Sequence, residues 1–209
     1  MRFRLNNPVL DYMNTMVQFI GLNLVYLICC LPIITIGPAT AALYQVTLRE
    51  ARHEHGYLIK KFFVHMKEMF FQGIAVSLVF FFAAFILAYS FVFWNELGGN
   101  VSLIATILSL LFAALLSFGL AYVFPLMARF QNTTVQTMKN AFFIALTNMK
   151  YTLILVLIHV FVISLFFVFP AFKIIMLLAG FSFTAFLNSW ILTKVFRNYE
   201  PAKTQFEED

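Results

Sequence analysis

The sequence is poor in charged residues. Asp, Glu, Lys and Arg together make up 11% of its 209 residues, against about 25% in soluble globular domains. So few charged groups cannot cover the surface of a soluble protein of this size, form the basic face of a nucleic-acid-binding module or keep a chain disordered. The composition argues against all three classes.

Cysteine is also scarce. The chain has two cysteines, Cys29 and Cys30, and they are adjacent within an apolar run. Neighbouring cysteines rarely pair with each other, and neither has a distant partner. The sequence therefore predicts no disulfide framework and no cysteine-based metal site.

Motifs that carry catalysis are absent as well. The sequence contains no glycine-rich phosphate loop and no HExxH pattern. His53 and His55 are the nearest approach to a metal pair, but residues two apart point to different sides of a helix, so we expect a solvated turn. We predict a protein that is not an enzyme and that holds neither cofactor nor metal.

Apolar residues are what the sequence has in abundance. They form 62% of the chain, and phenylalanine alone occurs 28 times. A soluble protein could not bury that much apolar surface. We predict an all-α, polytopic helical membrane protein, with residues 1–209 forming a single integral membrane domain.

Five segments have the roughly 20 mostly apolar residues that a membrane-spanning helix needs. A single proline, Pro170, separates the last two, which predicts a tight antiparallel hairpin. Residues 37–69, 125–150 and 194–209 are then cytoplasmic. The five predicted spans are residues 16–36, 70–94, 101–124, 151–169 and 171–193.

The distribution of lysine and arginine gives the orientation. With five spans, eleven of these cations fall on one side of the membrane and three on the other. By the positive-inside rule the N-terminus is outside and the C-terminus is cytoplasmic. Arg2 and Arg4 oppose this arrangement. If the first segment does not cross, the N-terminus is inside, four spans remain and the rest is unchanged.

The first segment carries a polar stripe. Asp11, Asn14, Gln18 and Gly21 are three or four residues apart and so share one helical face. A polar face entering the membrane must meet other helices or water rather than lipid. Two interpretations stay open, which are a packing face and the wall of a polar cavity open to the outside.

The cytoplasmic segments look helical. Gly37-Pro38 places proline at the first helical position, before a helix over 39–52. Two interpretations of the pair stay open, which are a rigid turn into an interfacial helix and a helix N-terminus that accepts an anion. An amphipathic helix is expected over 57–68. Thr133 and Gln136 match a capping box, followed by an apolar stripe of Val135, Met138, Phe142, Ala145 and Met149.

Few polar side chains lie within the predicted spans. His159 is an ionisable residue at the middle of span four, which makes it a functional candidate. The other candidates are Gln18, Ser109, Ser117 and Asn188. Each can be explained as a helix-to-helix hydrogen bond or packing contact, and each could instead line a polar path.

Two stretches resemble a known family. Asn23 followed by Leu31-Pro32-Ile33-Ile34-Thr35-Ile36-Gly37-Pro38-Ala39-Thr40-Ala41-Ala42-Leu43-Tyr44 resembles the signature of the YesL family, small bacterial membrane proteins of unknown function. The later run Phe124-Pro125-Leu126-Met127-Ala128-Arg129-Phe130 is similar too. The motif residues on which the resemblance rests are Asn23, Pro32, Gly37, Pro38, Ala39, Thr40, Ala42, Leu43, Tyr44, Pro125 and Arg129.

The resemblance implies a biological setting rather than an activity. The family has no assigned reaction, so no catalytic residue carries over, and its genes often lie beside those for carbohydrate uptake and polysaccharide degradation. Our main expectation is an accessory protein that docks on a sugar ABC-transporter permease or sensor through its cytoplasmic helices. The alternative is a small permease or channel for a neutral solute. A homo-oligomer is compatible with both, and nucleic acid is not an expected partner.

Overall fold

The computed structural model describes residues 8–52, 54 and 56–199, with side chains from residue 15 onward. Every regular element in these residues is helical, which confirms the all-α prediction. In chain order the elements are α1 (Pro8–Cys30), a 3₁₀ turn (Ile33–Thr35), α2 (Ile36–Ala51), α3 (Leu58–Glu68), α4 (Phe70–Leu97), α5 (Asn100–Arg129), α6 (Thr134–Thr147), α7 (Met149–Val168), α8 (Pro170–Ile175), a π-helical segment (Met176–Gly180) and α9 (Phe181–Phe196).

Four helices are long and apolar enough to cross a membrane. They are α4, α5, α7 and the continuous helix formed by α8, the π-helical segment and α9. These helices cover the last four predicted spans, with ends that differ by up to five residues. The chain is therefore a multi-pass helical membrane protein, and Pro170 begins α8 immediately after the turn that closes the predicted hairpin.

The predicted first span, 16–36, is wrong at its end. Helix α1 stops at Cys30, and a 3₁₀ turn over Ile33–Thr35 separates it from α2. Pro32 has no N–H to donate, and it disfavours helical backbone at the residue before it. Helix α1 as a whole has 23 residues, Pro8–Cys30, and the part whose side chains are described, Thr15–Cys30, is apolar.

Helix α1 runs antiparallel to the last span. The ring of Phe19 packs 5.2 Å from that of Phe186, whereas Asn23, one turn later, reaches the backbone of Met176 and Leu177. The partner residue number falls as the α1 residue number rises. The beginning of α1 therefore lies at the same end of the bundle as Phe196, which does not fit our prediction of termini on opposite sides of the membrane.

Helices α1 and α2 form a hairpin around the turn at Leu31–Thr35. The hydroxyls of Tyr26 and Thr40 are 3.2 Å apart across it. The Thr35 hydroxyl lies 2.5 Å from the Cys29 carbonyl and 2.7 Å from the Pro32 carbonyl, so the turn satisfies backbone groups itself. Its outward side chains are apolar, namely Leu31, Ile33 and Ile34.

Helix α2 is the centre of the bundle. We predicted an interfacial helix, but 11 of its 16 residues are buried, and it packs against α1, α3, α4, α5 and α9. Small residues over 37–42 allow neighbouring helices to approach closely on several sides. Pro38 is the third helical residue rather than the first, a position whose N–H has no partner within a helix in any case.

The buried core lies at one end of the molecule. It combines α2 and α3 with residues 119–128 of α5, the inner face of α6 and the end of α9. We predicted that this span would end before Pro125, but helix α5 continues through Pro125 to Arg129. Burial of residues 121–128 outweighs the loss of one helical hydrogen bond at proline. At the other end α4, α5 and α7 are mostly exposed, with at most 17% of their apolar stretches buried.

Helix α6 confirms one prediction and corrects another. Thr133 is its N-cap, and its hydroxyl accepts from the Gln136 N–H at 3.4 Å. Of the predicted apolar stripe, Ala145 is buried and Met138 and Phe142 pack against the core, whereas Val135 and Met149 are exposed. The buried face of α6 also carries Thr137, Ala141 and Ile144.

Candidate functional site

The first motif forms a close crossing of two helices. At Gly37 a Cβ atom would overlap the carbonyl oxygen of Gly73 in α4, and at Gly73 one would come within 2.6 Å of the Pro38 nitrogen. The backbones of α2 and α4 are therefore in direct contact, as small residues permit. The Gly37-Pro38 pair thus has a packing role, beyond the turn that we considered from sequence.

The remaining residues of this motif lie mostly in the core. Ala39 and Ala42 are fully buried, and Leu43 and Tyr44 nearly so. Thr40 is half-buried, and its hydroxyl donates to the Ile36 carbonyl at 2.7 Å. Pro32 is exposed in the turn, whereas Pro125 of the second motif is buried inside α5.

Asn23 connects α1 to the π-helical segment of the last span. Its fully buried amide donates to the carbonyls of Met176 and Leu177, at 3.2 and 2.8 Å. Its Oδ1 accepts from the Ser182 N–H at 3.0 Å, and the Ser182 hydroxyl donates to the Phe19 carbonyl. One side chain thus holds backbone groups on both sides of an irregular turn, and π-helical turns are common at functional sites.

A second polar cluster joins α2, α7 and α9. His159 Nδ1 lies 2.8 Å from the Leu155 carbonyl, and His159 Nε2 lies 3.4 Å from the amide nitrogen of Asn188. That nitrogen also donates to the Tyr44 hydroxyl at 3.3 Å. The structure therefore brings together His159 and Asn188, two of the sequence candidates, and adds Tyr44 from the motif.

These three residues stand in the wall of a cavity of about 320 Å³. Asn188 is fully buried, and its Oδ1 has no hydrogen-bond partner. An unpaired buried acceptor is unusual and costs free energy. The other lining residues are Tyr26, Thr40, Leu43, Val162, Ile163, Met176, Phe181, Thr184 and Ala185.

The other intramembrane candidates lie elsewhere. Ser109 is buried between α4 and α5, where its hydroxyl is 3.0 Å from that of Ser90. Ser117 donates to the Ala114 carbonyl of its own helix at 2.7 Å. Gln18 is half-buried on α1, and the side chains of Asp11 and Asn14 lie outside the described residues. Neither serine belongs to the cluster around His159.

A larger polar groove opens at the end of the molecule that holds the core. It measures about 780 Å³ and lies between α2, the junction of α3 and α4, and the connection from α5 to α6. Gln72 fixes one wall by donating to the Asn132 carbonyl at 3.0 Å and to the Thr137 hydroxyl at 3.3 Å. The lining residues are Gln45, Arg49, His65, Glu68, Met69, Gln72, Met127, Ala128, Arg129, Phe130, Gln131, Asn132 and Thr133.

Cations dominate this end of the protein. The described segments contribute Arg49, Arg52, Lys60, Lys61, Lys67, Arg129, Lys139, Lys150, Lys194 and Arg197. Glu54 lies 3.0 Å from Arg52 and 3.9 Å from Arg49, and Glu68 lies 2.8 Å from His65 Nδ1. The described segments at this end hold three acids, Glu50, Glu54 and Glu68, against these ten cations, so the net charge here is positive and complementary to an acidic partner.

Among the described residues, no group of three His, Cys, Asp or Glu side chains lies close enough together to hold an ion. His53 and His55, the pair that we considered from sequence, lie outside the described residues. Sequence reasoning singled out Tyr44 only as a motif residue and missed Gln72 as a site residue, because an isolated glutamine gives no signal without its neighbours.

Comparison with known proteins gives one match. Residues 19–91 match the model of a family described as "Protein of unknown function, DUF624". This part of the chain, from α1 into α4, is thus similar to an uncharacterised family and contains Asn23 and the Gly37–Gly73 crossing. No curated protein and no solved structure matches the chain.

Proposed function

We propose that this protein is a non-enzymatic accessory subunit of the bacterial plasma membrane. It docks on a carbohydrate-uptake transporter, or on the sensor that controls one, through its cytoplasmic helices. The observation that carries the proposal is the polar groove of about 780 Å³ at the cationic end of the molecule.

The groove has the chemistry of a protein-docking site. Arg49 and Arg129 line the groove, with Arg49 3.9 Å from Glu54, and Glu68, the one acid among the described lining residues, pairs with His65. Gln45 and Gln131 also line the groove, and side-chain amides can bond an extended backbone. An acidic, polar segment of a neighbouring subunit fits these groups, and complementary charge would set its orientation.

The carbohydrate setting rests on resemblance alone. The signature from Asn23 to Tyr44 resembles the YesL family, whose genes often accompany sugar ABC-transporter genes. The matched family model covers the same residues and carries no activity. An accessory role is consistent with a family to which no reaction has been assigned.

We propose an orientation in which both ends of the chain lie in the cytoplasm. Helix α1 begins beside the end of α9, so α1 and α2 enter from the cytoplasmic face as a re-entrant hairpin. Thirteen of the fourteen lysines and arginines are then cytoplasmic, Arg2 and Arg4 included, and Lys173 alone is outside. The apolar turn at Leu31–Ile34 suits the hydrocarbon layer, with its backbone bonded locally.

A small permease for a neutral solute is the alternative. The cavity beside His159 and Asn188 favours it, because a carrier holds its substrate within the membrane. Ser109 and Ser117 do not extend that cavity across the bilayer. Liposomes containing the protein that pass sugars no faster than empty liposomes would contradict the permease.

Purification from native membranes at endogenous level tests the accessory role. We expect transporter permease or sensor subunits to co-purify in stoichiometric amounts, as identified by mass spectrometry. Arg49→Glu reverses charge in the groove and should lower their recovery at least about fivefold, which corresponds to loss of a charge-assisted contact.

Lys139→Glu is the matched control, because Lys139 is an exposed cation of α6 outside the groove. It should leave recovery unchanged. Equal loss with both variants would assign the effect to general surface charge and contradict groove docking. A protein that purifies alone or as a homo-oligomer would contradict the accessory role itself.

A further inference from the structure

We propose that the polar groove binds an acidic segment of its own chain. The acidic segment is residues 206–209, a phenylalanine followed by two glutamates and an aspartate, which lie outside the described residues. Bound there, it competes with an acidic partner for the groove. This competition rests on the proposed function, whereas the binding of the acidic segment to the groove does not.

Charge complementarity is the first ground for this contact. Arg49 and Arg129 line the groove, at the end of the molecule where the described segments hold more cations than acids. Residues 207–209 are three acids in a row, and no other two acids are adjacent in the sequence. Opposite charges attract more strongly in a partly enclosed groove than on an open surface, because less water lies between them. The acidic segment is thus the part of this chain whose charge best matches the groove.

The phenylalanine matches a second property of the groove. Met69 and Phe130 also line it, and both are half-buried, so part of each side chain stays open to a ligand. Methionine sulfur and aromatic rings pack favourably against a further aromatic ring. Because Phe206 directly precedes the acids, its ring and their carboxylates would enter the groove together.

The described chain ends close to the groove. The ring of Phe196, at the end of α9, packs 5.6 Å from that of Phe130, a lining residue. Three residues later the Tyr199 hydroxyl accepts from Asn148 Nδ2 at 2.9 Å. Residues 200–206 can span up to about 25 Å, whereas packed helices lie about 8–10 Å apart. The acidic segment can therefore reach the groove without being fully extended.

Attachment to the same chain makes weak contacts sufficient. A segment joined by a short linker meets its site at an effective concentration on the order of millimolar. A few charge pairs and one aromatic contact are then enough to occupy the groove. A partner must offer more contacts than the acidic segment does in order to displace it.

Cross-linking within the full-length protein tests the contact. Gln131→Cys places a thiol at an exposed position in the groove, and Gln205→Cys places one next to the acidic segment. Cys29 and Cys30, the free cysteines of the chain, are changed to serine beforehand. A short bis-maleimide joins thiols that approach each other, and peptide mass spectrometry identifies the product. We expect a cross-link between the two positions within one monomer.

Thr147→Cys is the matched control for Gln131→Cys. Thr147 is also uncharged and exposed, and it precedes Asn148, which Tyr199 contacts. A segment without preference would cross-link there at least as fast, because this position lies beside the last described residue. We expect the groove position to react at least about fivefold faster than the control.

Charge variants test the cause of the preference. Glu207→Gln, Glu208→Gln and Asp209→Asn together keep the length and polarity of the acidic segment, and they should lower cross-linking in the groove to the rate of the control. Salt at about 1 M, where the Debye length falls to about 3 Å, should act in the same direction. The free peptide Gln-Phe-Glu-Glu-Asp should compete, and its amide version Gln-Phe-Gln-Gln-Asn should not. In native membranes the triple variant should raise the recovery of transporter subunits about two- to fivefold.

Four results would overturn the proposal. Equal rates at the groove and control positions would exclude the contact, and co-purification would still decide the docking role by itself. Cross-linked dimers would assign the groove to the acidic segment of a second copy. A groove cross-link that the triple variant does not slow would exclude charge as its cause. Unchanged recovery of subunits that do co-purify would exclude the competition.

Discussion

At the scale of single residues, the side-chain amides of two buried asparagines differ in their hydrogen bonding. The nitrogen and the oxygen of Asn23 are both hydrogen-bonded to backbone groups of the last span. Asn188 has a saturated nitrogen and an unpaired oxygen. Because buried polar groups are normally satisfied, we assign a structural role to Asn23, whereas the unpaired oxygen of Asn188 is an exception.

Substitution of Asn23 tests the structural assignment. Asn23→Leu removes three hydrogen bonds, including the one that the buried Ser182 N–H donates to Asn23, so we expect the free energy of unfolding to fall by about 1–3 kcal/mol. Unfolding in mixed micelles measures this change. The control is Gln18→Leu, which removes an amide from a half-buried position of the same helix. Equal losses of unfolding free energy in the two variants would contradict a specific structural role of Asn23.

At the scale of elements, α2 decides how the other helices are arranged. Its Gly37 meets Gly73 of α4, and its Thr47 hydroxyl lies 2.8 Å from that of Ser189 in α9. A buried helix of small residues lets several partners approach at short distance. The sequence signature from Leu31 to Tyr44 is thus mainly a packing surface.

Substitution at the crossing tests this role. Gly37→Ala places a Cβ against the Gly73 backbone, which cannot move aside, so we expect a loss of about 1–3 kcal/mol or more in unfolding free energy. Thermal denaturation in detergent measures it.

Gly21→Ala serves as the control for the crossing. A Cβ there would come within 3.1 Å of the terminal methyl of Ile59, which a flexible side chain can relieve. Alanine also favours helix over glycine, so we expect little loss or a small gain. Similar losses at the two positions would argue against a special crossing at Gly37.

At the scale of the whole molecule, packing and charge are both uneven. The core and most cations share one end, and the hairpins of α4–α5 and α7–α8 extend from it with exposed apolar surface. Helix α1 starts at the core end and turns back at Leu31–Thr35. This arrangement predicts that both ends of the chain face the cytoplasm.

Protease-cleavable tags test the orientation. Tags fused at the two ends should be cut together in inverted membrane vesicles and protected together in right-side-out cells. A tag inserted between Gly98 and Gly99 should show the reverse, because this turn joins α4 and α5 at the far end. Cutting of the two end tags from opposite sides would restore the five-span arrangement.

Much of the architecture could be predicted from the sequence because it depends on local periodicity. The lengths of the apolar runs predicted the last four spans, and Pro170 predicted the break between the last two. Thr133 with Gln136 predicted the start of α6. His159 and Asn188 could be singled out because polar groups are rare in spans. Each of these features is a property of neighbouring residues.

The sequence by itself determined that this chain is helical and has apolar runs long enough to cross a membrane. Tertiary structure alone decided that α1 turns back after Cys30, that α2 is buried and that α5 continues through Pro125. It also decided that Tyr44, His159 and Asn188 meet. The reason is that an apolar run has the same composition whether it faces lipid or protein, and only contacts between distant segments distinguish the two.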